Sequence, residues 1–289
     1  MRERECSVKL RAGAFLIVGL GSSLLSTAAD VENIQFKVVD GFERGAEVVG
    51  KLHVPEAKGE RLPAVMIVNS APGFDGRSAF YAEALSRAGI AALELDFMQG
   101  RGQPASPRQH MAHVFETLLY LASDPRIDAT RIGIMGFSWG GFVALLTSSA
   151  EITHKHTGDR LRFAAHLGVY PICWMHERIL LGNDKFNPPS VYRQLTGRPV
   201  HILAGARDDY DEPDSCDKFL AALPAEARRH VSLTMYPDAT FGWDSRVGSD
   251  SWHAGGRKGK GGVIHIVADE DIAKQSREFA VGYFMRNLR

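Results

Sequence analysis

Apolar residues crowd together at AVMIVN (Ala64 to Asn69), IAALELD (Ile90 to Asp96) and RIGIMGF (Arg131 to Phe137), while between these runs they return at helical spacing. Short continuous apolar runs predict strands buried on both faces, and the spacing between them predicts amphipathic helices. The first helix keeps Tyr81, Ala84, Leu85 and Ala88 on one face, with Ser78 as its expected cap and Gly89 as its stop. The second starts at Ser106 and Pro107, carries Met111, Phe115, Leu118 and Ala122 on its apolar face, and ends at Asp124-Pro125. Two earlier strands are expected around Ile34 to Val39 and Val48 to Val54. The alternation continues with a helix after Trp139, strands near Phe163 to Val169 and at VHILAG (Val200 to Gly205), a helix around Asp214 to Leu223, the strand VSLTMY (Val231 to Tyr236) and a C-terminal helix from about Asp269.

Strands alternating with helices in this way predict an α/β fold, with a mostly parallel central sheet covered by helices on both faces. In such sheets ligands bind outside the carboxyl ends of the strands. No repeat or linker interrupts the chain after its N-terminal segment, so one domain is expected over 30–289. Lys+Arg 34 against Asp+Glu 34 leaves no net charge, which argues against nucleic acid or an acidic membrane as a partner. The short run GRKGK (Gly256 to Lys260) reads as a solvated glycine-rich loop.

The N-terminus places Arg2, Arg4, Lys9 and Arg11 before the apolar run AGAFLIVGLGSSLL and the small residues up to Ala29. That is the layout of a signal peptide over 1–29, cleaved near Ala29, and it predicts a secreted or periplasmic protein with no membrane attachment after cleavage. The run is shorter than the roughly 20 apolar residues a bilayer-spanning helix needs. Cys6 would leave with this segment; Cys173 and Cys216 remain, and they read either as a pair bonded in an oxidising compartment or, as is commoner for two lone cysteines in a large domain, as buried thiols. No cysteine or histidine spacing points to a metal.

Gly136, Phe137, Ser138, Trp139 and Gly140 form G-x-S-x-G between an apolar strand and an amphipathic helix. A nucleophile elbow requires this context, because the serine must be raised on a sharp turn at a strand end, and Ser138 is the expected nucleophile. The chain resembles the dienelactone hydrolase-like branch of the α/β-hydrolase superfamily from about Leu62 onward. The likeness rests on PAVMIVNSAPG, AGIAALELDFMQGRG, DPRIDATRIGIMGFSWGG, VYPIC, ILAGARDD and YPDA, in that order.

The resemblance implies a nucleophile, acid and histidine in that chain order. It assigns Ser138 as nucleophile and Asp208, at the end of strand VHILAG, as the acid, with Asp209 and Asp211 as rivals. The oxyanion would be held by the backbone N–H groups of Trp139 and Ala71, since Pro72 has none to give. Asn69-Ser70 stands where the family pattern has His-Gly. In Y-P-x-A-x-H-x-F the histidine position is occupied here by Phe241, and a phenyl ring accepts no proton. The alternatives for the base are His253, His265, or no histidine at all. The long segment from Trp243 to Val267 that holds both is itself a functional hint. Trp139, Phe74, Phe97, Trp243 and Trp252 read mostly as core. The expected activity is hydrolysis of a small carboxylic ester or lactone through an acyl-enzyme, with no cofactor or metal. The alternative is a binding protein that has kept the fold and lost its base.

Overall fold

The computed structural model describes residues 30–39, 44–56, 59–70, 73–96 and 107–289. The expected signal segment, Ser106, Phe97 and the oxyanion donor Ala71 lie outside the described residues.

The strands are β1 (Asp30–Lys37), β2 (Glu47–Val54), β3 (Leu62–Val68), β4 (Ala91–Asp96), β5 (Ile127–Phe137), β6 (His166–Val169), β7 (Val200–Gly205), β8 (Val231–Tyr236), β9 (Ser249–His253) and β10 (Gly262–Ile266). The helices are α1 (Arg77–Arg87), α2 (Pro107–Ser123), α3 (Trp139–Leu146), α4 (Ala150–Thr157), α5 (Cys173–Leu180), α6 (Ser215–Ala222), the single turns α7 (Ala225–Arg228) and α8 (Gly256–Gly259), and α9 (Glu270–Asn287). Eight strands form one sheet in the order β1-β2-β4-β3-β5-β6-β7-β8. β1 and β2 pair antiparallel and β2 runs antiparallel to β4, while every pairing from β4 to β8 is parallel. This is the α/β-hydrolase arrangement that the alternation of elements implied.

β3 and β4 are buried along nearly their whole length, as their unbroken apolar character requires. Two apolar cores result, one on each face of the sheet. Leu118, Phe142 and Phe219 pack into one from α2, α3 and α6. Tyr81, Tyr283 and Phe284 pack into the other from α1 and α9. Each face is covered because a parallel sheet leaves no strand surface that water can usefully solvate.

Several expectations change. α1 is capped by Gly76 in the left-handed region, not by Ser78. The Ser78 hydroxyl instead donates to the Glu94 carboxylate on β4, whose other oxygen receives His53 Nε2 at 2.7 Å. A buried carboxylate must find partners, and that need outweighs a cap. Cys173 and Cys216 are a disulfide joining the start of α5 to α6, not two thiols. The segment after Trp243 is no plain connection: β9 and β10 pair as a separate antiparallel hairpin. Its GRKGK tip stays largely exposed, but it is also tied to the acid loop, because Lys258 pairs with Glu212 at 2.9 Å and Arg257 reaches Asp209 at 3.7 Å. Trp252, expected in the core, is 66% exposed on that hairpin, whereas Trp243 is fully buried.

Candidate active site

β5 ends at Phe137 and α3 begins at Trp139, leaving Ser138 alone to make the reversal. It does so at φ 52°, ψ −118°, a conformation that costs of order 1–3 kcal/mol for a residue with a side chain. Two backbone bonds hold it there: its N–H donates to Val169 O at 3.0 Å, and its carbonyl accepts from Phe142 N at 2.8 Å. The glycines make the turn possible. A Cβ on Gly140 would lie 2.2 Å from Val68 O, and one on Gly136 would lie 2.3 Å from Gly140 O, so no side chain fits at either position. Ser138 is therefore lifted on a strained elbow at the carboxyl end of the sheet, partly open to solvent. Among the described residues, nothing hydrogen-bonds to its Oγ.

Trp139 stands at the first position of α3, where a backbone N–H has no partner within the helix and is available to an oxyanion. Its indole N–H donates to His110 Nδ1 on α2 at 2.7 Å. Sequence reasoning passed over His110, which the fold brings beside the elbow from the first turn of α2. Because Nδ1 accepts from the indole, the neutral ring keeps its proton on Nε2, so Nδ1 has no free lone pair for the Ser138 proton.

The acid loop follows β7. Asp208 is buried, and its Oδ1 accepts from the backbone N–H groups of Tyr210 at 2.9 Å and Asp211 at 3.0 Å. Burial, followed by the nearby Asp211 and Asp209 carboxylates, pushes its pKa well above the usual carboxylate range. Its rivals have other partners. Asp211 receives the N–H groups of Cys173 and Trp174 and so caps α5, with burial raising its pKa to about 6. Asp209 receives the backbone N–H of His265 at 3.2 Å and faces the hairpin. Cys173, Asp211 and Cys216 converge as a metal site would, but the two sulfurs are bonded to each other and offer no thiolate.

Phe241 fills the position of the family histidine. Its ring lies between Tyr210, stacked at 4.5 Å, and Tyr170, edge-on at 5.1 Å; Phe241 and Tyr170 are buried and Tyr210 is half-buried. His253, on β9, shares its Nε2 with Ser251 Oγ at 2.9 Å and meets the Tyr210 ring edge-on at 5.9 Å. His265 is exposed on β10 and pairs with Asp250 at 2.9 Å. Among the described residues no imidazole hydrogen-bonds to Asp208 or to Ser138. The fold thus brings elbow, acid loop and Phe241 slot to one end of the sheet, and holds His253 one tyrosine away from Asp208.

Behind the slot lies a buried polar network that periodicity gave no reason to expect. Tyr170, directly after β6, donates to Asp244 and accepts from Arg77 Nη1 at 3.1 Å. Tyr81 donates to the second Asp244 oxygen at 2.9 Å. The block VYPIC, which contains Tyr170, was the one sequence signal for this cluster.

The solved structures that resemble this chain include esterases and dienelactone hydrolase-like proteins of low sequence identity. One from Klebsiella pneumoniae, described as a putative dienelactone hydrolase, is 19% identical with a TM-score of 0.63, covering 89% of this chain and 99% of that one. The dienelactone hydrolase-like promiscuous phosphotriesterase P91, from metagenomic libraries, is 16% identical with a TM-score of 0.64, covering 90% and 99%. EstE1, a thermostable carboxylesterase from a metagenomic library, is 14% identical with a TM-score of 0.63, covering 91% of each chain. At these identities the likeness establishes the fold. No curated protein matches the chain. The match to the family itself covers residues 49–255, from β2 through the elbow and acid loop into the hairpin, and by it this chain belongs to the dienelactone hydrolase family, a hydrolase family of the α/β-hydrolase fold.

Proposed function

We propose that the protein hydrolyses small carboxylic esters or lactones through an acyl-enzyme on Ser138. The observation that carries this reading is the strained elbow: a serine at φ 52° is maintained against its own backbone cost, at the strand end where ligands bind in such sheets. Ser138 Oγ attacks the carbonyl carbon, and the Trp139 N–H faces the resulting oxyanion. The ester C–O bond breaks, and water then releases the acid. Ala71 supplies the second backbone donor and Asp208 supports the base in this scheme. His253 is the base we assign, carried toward the slot by its hairpin. The rate is correspondingly low for poor leaving groups, because the phenyl ring of Phe241 occupies the place of an imidazole.

Turnover of a short-chain p-nitrophenyl ester that is lost in Ser138→Ala, with the acyl adduct found on Ser138 by mass spectrometry, is the expected result. Equal rates in wild type and Ser138→Ala would overturn the reading. His253→Ala is expected to lower the rate by orders of magnitude; an unchanged rate would remove His253 from the scheme. The burial of Phe241 between two tyrosines favours a second reading, a ligand-binding protein that uses the same pocket without turnover. Export to a periplasmic or extracellular space is part of the proposal. The Cys173–Cys216 disulfide supports it, since such bonds persist in oxidising compartments.

A further inference from the structure

Ser70 stands where the family pattern has glycine, and its surroundings give the added hydroxyl a use. Val68 on β3 is the register partner of Gly136 on β5, so Ser70 and Ser138 stand equally far beyond the last paired residues of neighbouring parallel strands. Such strands run about 4.8 Å apart. The two chains stay close past the sheet, since a Cβ on Gly140 in the first turn of α3 would lie 2.5 Å from Asn69 O. Ser70 is thus a next-strand neighbour of the elbow, at the end where the oxyanion forms.

The residue is also fixed. Asn69 Nδ2 donates to Leu95 O at 3.2 Å, Gly73 N donates to Ser70 O at 3.0 Å, and the Ser70 side chain is buried, at 3% exposure. Its Oγ accepts from Arg77 Nη2 at 2.6 Å. A guanidinium only donates, so the hydroxyl proton of Ser70 is not consumed by that bond, and among the described residues no acceptor takes it. A hydroxyl that accepts from a cation is a stronger donor through its own hydrogen, because hydrogen bonds in series polarise one another. Arg77 is itself locked: its Nε donates to Asp75 at 2.8 Å and its Nη1 to Tyr170, which Asp244 holds in turn.

We propose that the Ser70 hydroxyl is a side-chain donor to the oxyanion formed when Ser138 attacks, with Arg77 as the positioning residue that fixes and polarises it. The inference rests on the ester-hydrolase reading above. It gives the loop a donor that a glycine in this position lacks.

The test combines hydrolysis of p-nitrophenyl butyrate with labelling by a fluorophosphonate, in which Ser138 Oγ forms a bond to phosphorus, fluoride leaves and the serine proton goes to solvent. Ser70→Ala and Ser70→Gly both remove the hydroxyl; Ser70→Thr keeps it. Both removals are expected to lower kcat and the labelling rate about 100-fold, with KM within about twofold, because a lost oxyanion donor acts on the transition state and not on substrate binding. Ser70→Thr should recover most of the loss. Circular dichroism identifies which removal variant is folded, and Ser70→Gly, which adds no atom, keeps the test open if the alanine variant is not. A wild type labelled at Ser138 alongside a folded Ser70→Ala or Ser70→Gly of equal rate overturns the inference alone. A wild type that neither turns over nor labels at Ser138 overturns the hydrolase reading and this inference with it.

Discussion

Phe241 lies flat against Tyr210, ring centroids 4.5 Å apart and planes within 15°, in the place where the family pattern calls for a histidine. The stack joins the loop after β8 to the loop that carries Asp208, so the acid and the vacated base position remain neighbours through the Tyr210 residue. A stacked pair of this kind contributes about 0.5–1.5 kcal/mol beyond its buried area, which helps explain why the slot is stable without an imidazole.

Phe241→His is therefore expected to raise kcat for an activated ester at least tenfold over the rate that His253 supports, by placing a general base where the family pattern has one. Asp208→Asn in that background should abolish most of the gain, because the imidazolium then loses its carboxylate. Steady-state kinetics of the single and double variants against pH check this, the gain appearing as the introduced ring deprotonates. A Phe241→His protein that folds and shows no gain would mean that the slot does not reach Ser138.

The disulfide should contribute strongly to stability. Cys173 and Cys216 are separated by 43 residues, and closing a loop of that length constrains the unfolded chain by about 4 kcal/mol in the chain-entropy model. Because Cys173 N also donates to Asp211, which follows Asp208 in the acid loop, loosening α5 disturbs the acid loop too. Thermal unfolding with and without a phosphine reductant, and of Cys173→Ser/Cys216→Ser, should show a large drop in midpoint and a parallel loss of activity. Unchanged midpoints would contradict this.

Acid should destabilise the protein in a definite window. His166 and His176 are fully buried, and burial is the leading cause that lowers their pKa values to about 4 and about 3. In the unfolded chain both titrate near 6.5, so the unfolded state takes up protons first. Their contribution is fully present above pH 6.5 and is lost as pH falls from there toward about 4. The slope is at most about 1.4 kcal/mol per pH unit for each ring. Asp211, whose pKa is raised to about 6, acts with the opposite sign, its contribution declining as pH rises from the normal carboxylate range to about 6. The variant His176→Phe isolates the histidine part. His176 packs against Phe142 at 4.6 Å and Phe219 at 5.0 Å and bonds to the Tyr192 hydroxyl, a site that a phenyl ring can fill. Denaturant unfolding between pH 4 and pH 6.5 should give a shallower pH dependence for this variant than for wild type; parallel curves would remove His176 from the account.

The sheet, its helices and the elbow were legible in the sequence because each is encoded by residues close together along the chain. Apolar runs mark β3, β4 and β5, and three glycines around one serine leave the chain few ways to turn. Asp208 could be located for the same reason, at the end of an apolar strand. Local rules failed where a distant partner outweighed them: Ser78 forgoes its capping bond for Glu94 on the neighbouring strand, and GRKGK, though largely exposed, is tied to Asp209 and Glu212.

What the sequence by itself determined, then, is an α/β fold with a strained serine at a strand end and no histidine in the expected place. The surroundings of that serine were decided by tertiary structure alone. Arg77 meets Tyr170 across 93 residues and Tyr170 meets Asp244 across 74, and the disulfide and the docked hairpin likewise join segments far apart in the chain. Neither hydrophobic period nor capping rule specifies such pairings, because a buried polar group takes whichever partner the packed fold places within reach.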